Sequence, residues 1–223
     1  DQYGFGMAVT NAAGTGLTST AGDFFDVTLQ GGVLTLTTAA LGASNIGTDT
    51  SDTTLLEYTA VAASNIEVRQ TEFTLCRDPA GDGSYAAAAD EDSGWSDLVD
   101  FKVTNKATGT TIIGPADGSA FTTSDAGTCE DAVTGAQKQF TDTYDLLAGQ
   151  TYTFKVTADI KTANTDGNGL GLSAADAIQV FLDNFVDDTP SLSVMRYSGT
   201  NTSVADADIV PQSDLAGPAL TIQ

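Results

Sequence analysis

The sequence contains no histidine and few basic residues. Its 223 residues include 30 acidic and 8 basic side chains, which gives a formal net charge of −22 at pH 7. Without histidine, the chain cannot build a Ser-His-Asp triad, a Cys-His pair or a histidine-based zinc site. The scarcity of Lys and Arg argues against a nucleic-acid partner, because phosphate binding requires a basic surface. The composition therefore favours an acidic, non-catalytic protein.

Long apolar runs and helix-forming residues are also scarce. No apolar run approaches the roughly 18 residues that a membrane helix needs, so we expect no membrane-spanning segment. Asp outnumbers Glu by 25 to 5, and the chain has 34 Thr and 23 Gly. Asp and Gly favour turns and Thr favours strands, whereas all three are poor helix formers. This composition predicts an all-β protein.

Alternating apolar residues predict ten to twelve strands. The clearest alternation runs from Tyr152 to Ile160, which is typical of a strand with one face in the core. The segment 66–76 changes parity near Gln70, and this predicts a β-bulge. The spacing of the strands favours an antiparallel β-sandwich with Greek-key or jelly-roll connections and long acidic loops. The predicted strands are 1–10, 24–29, 33–38, 55–62, 66–76, 101–103, 111–113, 140–146, 152–160, 178–186, 192–197 and 220–222.

The N-terminal segment is the most informative part of the sequence. In residues 1–10, four large apolar residues alternate with small or polar ones, and residues 11–22 follow as a Gly/Ala/Thr/Ser tether. Such a strand is suited to insertion into the groove of a neighbouring copy. The alternative is an ordinary first strand of the same sandwich. We therefore divide the chain into a candidate donor strand with its tether (1–22) and one β-sandwich domain (23–223). The candidate self-assembly residues are Tyr3, Phe5, Met7 and Val9.

Two cysteines, Cys76 and Cys129, are the only ones in the chain. They suit one disulfide in an oxidising compartment, which would stabilise the fold by about 4 kcal/mol in the chain-entropy model. Two buried thiols are the alternative. Because the chain starts at Asp1 instead of Met, we expect that a leader was removed, and a trimmed chain is the alternative. We expect a secreted, extracellular location. The sequon at Asn201 is a candidate glycosylation site.

Two loops place short oxygen-bearing side chains at the offsets of calcium-binding loops. Both matches are partial, because Ala175 and Ala80 occupy positions where ligands are expected. We expect structural Ca²⁺ at some of these loops, and solvated turns are the alternative. A third acidic cluster ends at Asp97. The candidate metal ligands are Asn164, Asp166, Asn168 and Asp176 in one loop, and Asp78, Asp82 and Asp90 in the other.

Tyr85 and Trp95 lie in the long acidic loop 77–97. Exposed aromatic rings can stack on sugars, so this pair is a possible carbohydrate contact. The alternative for Trp95 is a ring that anchors the loop in the core. Carboxylate pairs are plentiful, but no pair stands out as the two acids of a glycan-cleaving enzyme.

Two segments carry a resemblance to known proteins. LLEYTAVAASNIEVRQTEFTL (55–75) and YDLLAGQTYTFKVTADI (144–160) resemble strand segments of secreted microbial β-sandwich subunits of surface filaments and surface layers, some of which assemble by donor-strand exchange. The chain departs from type IV pilins, because it has no long apolar N-terminal helix. The resemblance implies a structural, pilus-like role and assigns no catalytic residue.

These observations lead to two functional hypotheses. The first is a non-catalytic subunit of an extracellular filament or surface layer, a homopolymer built by β-strand complementation between copies. The second is a calcium-dependent adhesive or carbohydrate-binding module that contacts cell-surface glycans. A glycan-cleaving enzyme is a third and weaker one.

Overall fold

The computed structural model describes residues 34–78, 95–121, 129, 135–161, 172, 174–183, 195–200 and 202–223. All of them belong to the unit formed by residues 31–223. The candidate donor strand with Tyr3, Phe5, Met7 and Val9, the predicted strand 24–29 and the sequon residue Asn201 lie outside the described residues.

The described residues form fifteen strands and three single 3₁₀ turns. The prediction of a mainly β protein is therefore confirmed for the residues that the structure describes. No helix in this part of the chain is long and apolar enough to cross a membrane. The strands are β1 Leu34–Thr38, β2 Ser44–Ile46, β3 Thr50–Ala62, β4 Ile66–Val68, β5 Thr71–Asp78, β6 Leu98–Asn105, β7 Thr111–Ala116, β8 Ala136–Phe140, β9 Tyr144–Leu146, β10 Thr151–Ile160, β11 Ala177–Leu182, β12 Met195–Tyr197, β13 Ile209–Val210, β14 Leu215–Ala216 and β15 Leu220–Ile222.

The strands form two larger sheets and a small one. The first sheet has the order β13-β1-β3-β10-β6-β7, and the second has the order β2-β15-β11-β5-β8 with β14 beside β11. The third sheet is β12-β4-β9. The pairs β1–β13 and β2–β15 are parallel, so the expected purely antiparallel arrangement is wrong. Both parallel pairs join strands that are far apart in sequence, and such separation leaves room for the long connection that parallel pairing requires.

Two predicted strands are each divided between sheets. Segment 66–76 forms β4 in the third sheet and β5 in the second, with Arg69 and Gln70 between them. The parity change near Gln70 therefore marks a change of sheet and not the predicted bulge. Segment 140–146 likewise ends β8 at Phe140 and begins β9 at Tyr144. Alternation fixes which side chains face a core, but it does not identify the partner strand.

The first two sheets pack against each other through a shared apolar core. Phe73 of β5 contacts Phe101 of β6 at 5.3 Å between ring centroids, and Phe101 stacks on Phe140 of β8 at 5.8 Å. The third sheet covers another part of this core, where Tyr144 of β9 meets Phe154 of β10 at 5.7 Å. Aromatic pairs at these distances stabilise a fold beyond the burial of their area.

Candidate functional site

One end of each predicted calcium loop lies at the same point of the second sheet. Asp78 is the last residue of β5, where one acidic loop begins, and Asp176 immediately precedes β11, where the other loop ends. Asp78 pairs across the sheet with Ala177, so the two aspartates occupy neighbouring positions on adjacent strands. Both residues are buried, at 2% and 1% exposure. We call this place the loop junction.

Arg77 is the basic partner at the loop junction. Its Nη2 lies 2.8 Å and its Nε 3.1 Å from Oδ2 of Asp176, and the two side chains are 9% and 2% exposed. Two charges that are buried together lose their hydration, which costs free energy. Their mutual attraction compensates for this cost only when the two groups are well aligned. Two charge-assisted contacts to one oxygen satisfy that condition. Asp176 is therefore an ion-pair partner here as well as a candidate metal ligand.

Asp97, at the end of the 3₁₀ turn Trp95–Asp97 that precedes β6, connects the same two loops. It is fully buried, and its Oδ2 accepts a hydrogen bond from the backbone N–H of Leu172 at 3.1 Å. Its own carbonyl accepts the N–H of Lys161 at 2.8 Å. The end of loop 77–97 is thus tied to Lys161, just before loop 162–176, and to Leu172 within that loop. The remaining candidate metal ligands, Asp82, Asp90, Asn164, Asp166 and Asn168, lie outside the described residues.

The Cys76–Cys129 disulfide is present in the structure, with Cα atoms 5.8 Å apart. Cys76 lies in β5, directly before Arg77, and both sulfurs pack with Phe181 in a small apolar cluster. Closing a loop of this length restricts the unfolded chain, and this is the main source of disulfide stability in the chain-entropy model. The bridge therefore reinforces the strand that leads into the loop junction.

The structure places Trp95 in the core, at 1% exposure. Trp95 is therefore not the carbohydrate contact that the sequence allowed, because a buried indole ring presents no face to a sugar. The backbone is also closely packed at Gly118, where a Cβ atom would clash with the carbonyl oxygen of Trp95. Trp95 therefore has the position expected of the alternative interpretation, in which its ring anchors the loop in the core. Its proposed companion Tyr85 lies outside the described residues.

A second acidic group lies on the first sheet and was missed in the sequence. Asp52 of β3, Asp100 of β6 and Asp159 of β10 come from three adjacent strands, with one carboxylate oxygen of each within 4.8 Å of the others. Asp52 and Asp100 have φ angles of 51° and 56°, in the left-handed region that costs energy for most residues. The Asp52 N–H donates to Oδ1 of Asp159 at 2.9 Å. We call these three residues the aspartate triplet.

Lys102 neutralises part of the aspartate triplet. Its Nζ lies 2.6 Å from Oδ2 of Asp100 and 2.9 Å from Oδ1 of Asp52. The hydrogen bond from Lys102, reinforced by its charge, lowers the pKa of Asp52. The same two carboxylates raise the pKa of Lys102. An ammonium group therefore binds two of the three carboxylates, so the triplet is an ion-pair network in the form described.

The aspartate triplet had a weak signal in the sequence. Asp52 and Asp100 precede the strands predicted at 55–62 and 101–103, and Asp159 lies on the outward face of the strand predicted at 152–160. Acidic residues at such positions are common. Their convergence depends on the order β3-β10-β6 and on register shifts near Thr157 and Ala158. Pattern reasoning assigns a face to each residue but does not bring three strands together.

The edge strands of the two larger sheets differ in how well they could pair with an additional strand. Among the described strands, β13 has two residues and β2 has three, while β7 contains Pro115 after Gly114. Short edges and proline discourage strand addition. β8 is a five-residue end strand without proline, and it pairs with β5 on its inner side. It is the most complete sheet edge in the described part of the chain.

No protein-family model matches this chain, and no curated protein sequence is significantly similar to it.

Proposed function

We propose that this protein is a non-catalytic structural subunit of an extracellular filament or surface layer. The observation that carries the proposal is the combination of an alternating N-terminal sequence, residues 1–10, with a proline-free end strand, β8 (Ala136–Phe140), in the mainly β part of the chain that the structure describes. Residues 1–10 of one copy pair with β8 of the next, in a sandwich of Greek-key type. Main-chain hydrogen bonds supply affinity, and alternate side chains fill pockets.

Repetition of this contact produces an open fibre. The donor and the acceptor are different surfaces, so each copy still offers one of each after pairing, and the contact does not close on itself unless the rotation allows a ring. Lys138 in the middle of β8 packs its Nζ 5.1 Å above the Phe140 ring. A lysine on an edge strand discourages unspecific pairing, so the edge favours one matching donor over random aggregation.

Negative-stain electron microscopy of the purified chain tests this proposal. We expect regular fibres or sheets for the wild type and their loss when residues 1–10 are deleted. Phe5→Asp should have the same effect because it places a charge in a pocket, whereas Thr10→Asp on the opposite face of that strand is the matched control. Fibres that survive the deletion would exclude the N-terminal segment as the donor.

A calcium-dependent adhesive or carbohydrate-binding module is the second candidate function. It is favoured by the loop junction, where Asp78, Asp97 and Asp176 bring the ends of two Asp-rich loops together. Carboxylate and amide oxygens on such loops are the ligands that Ca²⁺ prefers. Tyr85 is then the remaining aromatic contact for a cell-surface glycan.

Thermal unfolding with and without calcium tests the second candidate. A ligand at 100 times its Kd stabilises the folded state by about 2.7 kcal/mol, so the melting temperature should rise clearly with calcium and fall on chelation. Asp166→Asn should remove most of this shift, and Asp214→Asn, away from both loops, should keep it. A melting temperature that is indifferent to chelation would contradict a stabilising calcium site.

A further inference from the structure

Acidic and basic residues are distributed unevenly along the chain. All eight Lys and Arg residues lie among the described residues, which contain 17 of the 30 acidic residues. The described part therefore has a formal charge of −9, and the remaining segments have a charge of −13. The segments that contain acidic residues but no Lys or Arg are 1–33, 79–94, 122–128, 130–134, 162–171 and 184–194.

Most of the basic side chains form ion pairs with acids close to them. Five of the eight cations bind six carboxylates in this way, so three basic residues remain for the other 24 acidic ones. The excess of negative charge therefore comes from acids outside these pairs. The pairs are Arg69 with Glu67, Arg77 with Asp176, Lys102 with Asp52 and Asp100, Lys106 with Glu57, and Lys161 with Asp159.

Among the described residues, exposed acids outside these pairs lie on turns of all three sheets. Asp49 precedes β3 and Asp117 follows β7, both in the first sheet. Asp142 lies between β8 of the second sheet and β9 of the third, and Asp206 lies in the 3₁₀ turn before β13. The negative charge is therefore diffuse. Diffuse charge interacts with the ionic atmosphere as a whole, and not with one bound ion.

We propose that this protein is adapted to a saline medium and that its fold reaches full stability only when salt screens its own negative charges. A net charge far from zero destabilises the compact state, because folding brings like charges closer together. For a chain of this length the radius of gyration is about 51 Å unfolded and about 17 Å folded. The 22 excess charges are therefore confined to a much smaller volume in the folded state.

Comparison of the screening length with the size of the fold gives the sign of the salt effect. The Debye length is about 30 Å at 10 mM salt, so charges repel each other across the whole folded chain, whereas at 1 M it is about 3 Å. Salt also weakens attractive ion pairs, but the exposed pairs of Lys102 and Lys106 contribute little to stability. The buried pair of Arg77 and Asp176 is screened much less. We therefore expect salt to stabilise the fold.

Thermal unfolding of the full chain between about 10 mM and 1 M sodium chloride, with EDTA throughout, tests this inference. We expect the melting temperature to rise by about 10 °C or more, and most of the rise to occur below about 0.3 M, where the Debye length shortens fastest. In that range sodium thiocyanate should act like sodium chloride, because screening depends on ionic strength. EDTA removes any contribution of calcium, and light scattering at each salt concentration separates a change in assembly from a change in folding.

Charge variants assign the salt effect to repulsion. Replacing Asp92, Asp187 and Asp188 by Asn should raise the melting temperature at 10 mM salt and leave it nearly unchanged at 1 M. Replacing the same three residues by Glu keeps the charge and should keep the full salt dependence. If the Asn variant does not fold, Asp117→Asn combined with Asp206→Asn, at exposed turns, provides the same test with a smaller shift. Equal melting temperatures at 10 mM and 1 M would overturn the inference, as would a salt dependence that neutralisation leaves unchanged.

Discussion

The loop junction and the aspartate triplet use the same kind of ion pair in two different surroundings. At the loop junction, Arg77 and Asp176 are almost fully buried. In the triplet, Lys102 meets Asp52 and Asp100, whose side chains are 64% and 39% exposed. Water already solvates the exposed charges, so their pairing gains little, whereas a buried charge without its partner is costly. We therefore expect the stability of the fold to depend strongly on the buried ion pair at the loop junction and only weakly on the exposed ion pairs of the aspartate triplet.

Removal of one partner from the loop junction should have the largest effect. We expect Asp176→Ala to lower the free energy of unfolding by about 3–5 kcal/mol, because it leaves the Arg77 guanidinium buried without this carboxylate. Urea unfolding followed by circular dichroism measures the change. A loss below about 1 kcal/mol would show that water or another acid replaces Asp176.

Replacing both partners of the ion pair shows whether the loss in Asp176→Ala comes from the charge left without its partner. Arg77→Met combined with Asp176→Leu removes both charges and keeps apolar volume, so we expect it to be much less destabilising than Asp176→Ala alone. In the double-mutant cycle, the coupling between the two sites should be large. Additive effects of the two single substitutions would mean that the ion pair itself contributes little.

The hydrogen bond between Asp97 and Leu172 should have an intermediate effect. Asp97→Ala leaves the buried N–H of Leu172 without its acceptor, and we expect a loss of about 1–3 kcal/mol. Asp97→Asn retains an acceptor oxygen and is the matched control, with a smaller loss. Hydrogen exchange of the Leu172 amide reports the change directly. Equal losses in the two variants would assign the effect to charge and not to this hydrogen bond.

Removal of Lys102 should have a small effect on stability. We expect Lys102→Met to cost at most about 1 kcal/mol at neutral pH, because exposed ion pairs contribute little. The loss of stability caused by Lys102→Met should become smaller as ionic strength rises, since salt screens surface charges. Unfolding curves at two salt concentrations test this. A loss as large as that of Asp176→Ala would remove the distinction between the two sites.

The smallest expected effect is the pH dependence of the Lys102 network. Because Lys102 lowers the pKa of Asp52, the stabilisation from Asp52 is present above its unfolded pKa of about 3.9 and is lost as the pH falls through the folded value. Because the carboxylates raise the pKa of Lys102, its contribution is present below about pH 10.4 and is lost as the pH rises through the folded value. NMR titration should show a higher Asp52 pKa in Lys102→Met and an unchanged one in Lys106→Met.

The sequence was sufficient for the strands with strong alternation. β10 was expected at 152–160 and spans Thr151–Ile160, and β15 was expected at 220–222 and spans Leu220–Ile222. The Asn105–Gly109 segment connects β6 and β7 as an antiparallel hairpin. These elements are encoded locally, in alternation and in turn residues. Short strands such as β2 and β14 carry too few residues for a pattern and depend on their neighbours for pairing.

The candidate sites also divide into features that local sequence indicated and features that depend on strand pairing. The two cysteines indicated a disulfide because no other cysteine was present to pair with. Asp78 and Asp176 were recognised as loop acids, but their adjacency and their proximity to Arg77 follow from the pairing of β5 with β11. The sequence favoured Trp95 as a loop anchor over a carbohydrate contact, and the burial of its ring in the folded chain agrees with the anchor.

By itself, the sequence determined the β-class, the acidic character, the disulfide partners and which residues of each strong strand face the core. These properties depend on composition and on a two-residue period, which are local. The tertiary structure decided which strands are neighbours, and therefore that segment 66–76 is divided between two sheets and that one end of each Asp-rich loop lies beside Arg77. Such outcomes depend on contacts between distant residues, because register and strand order are set by the packing of the whole core.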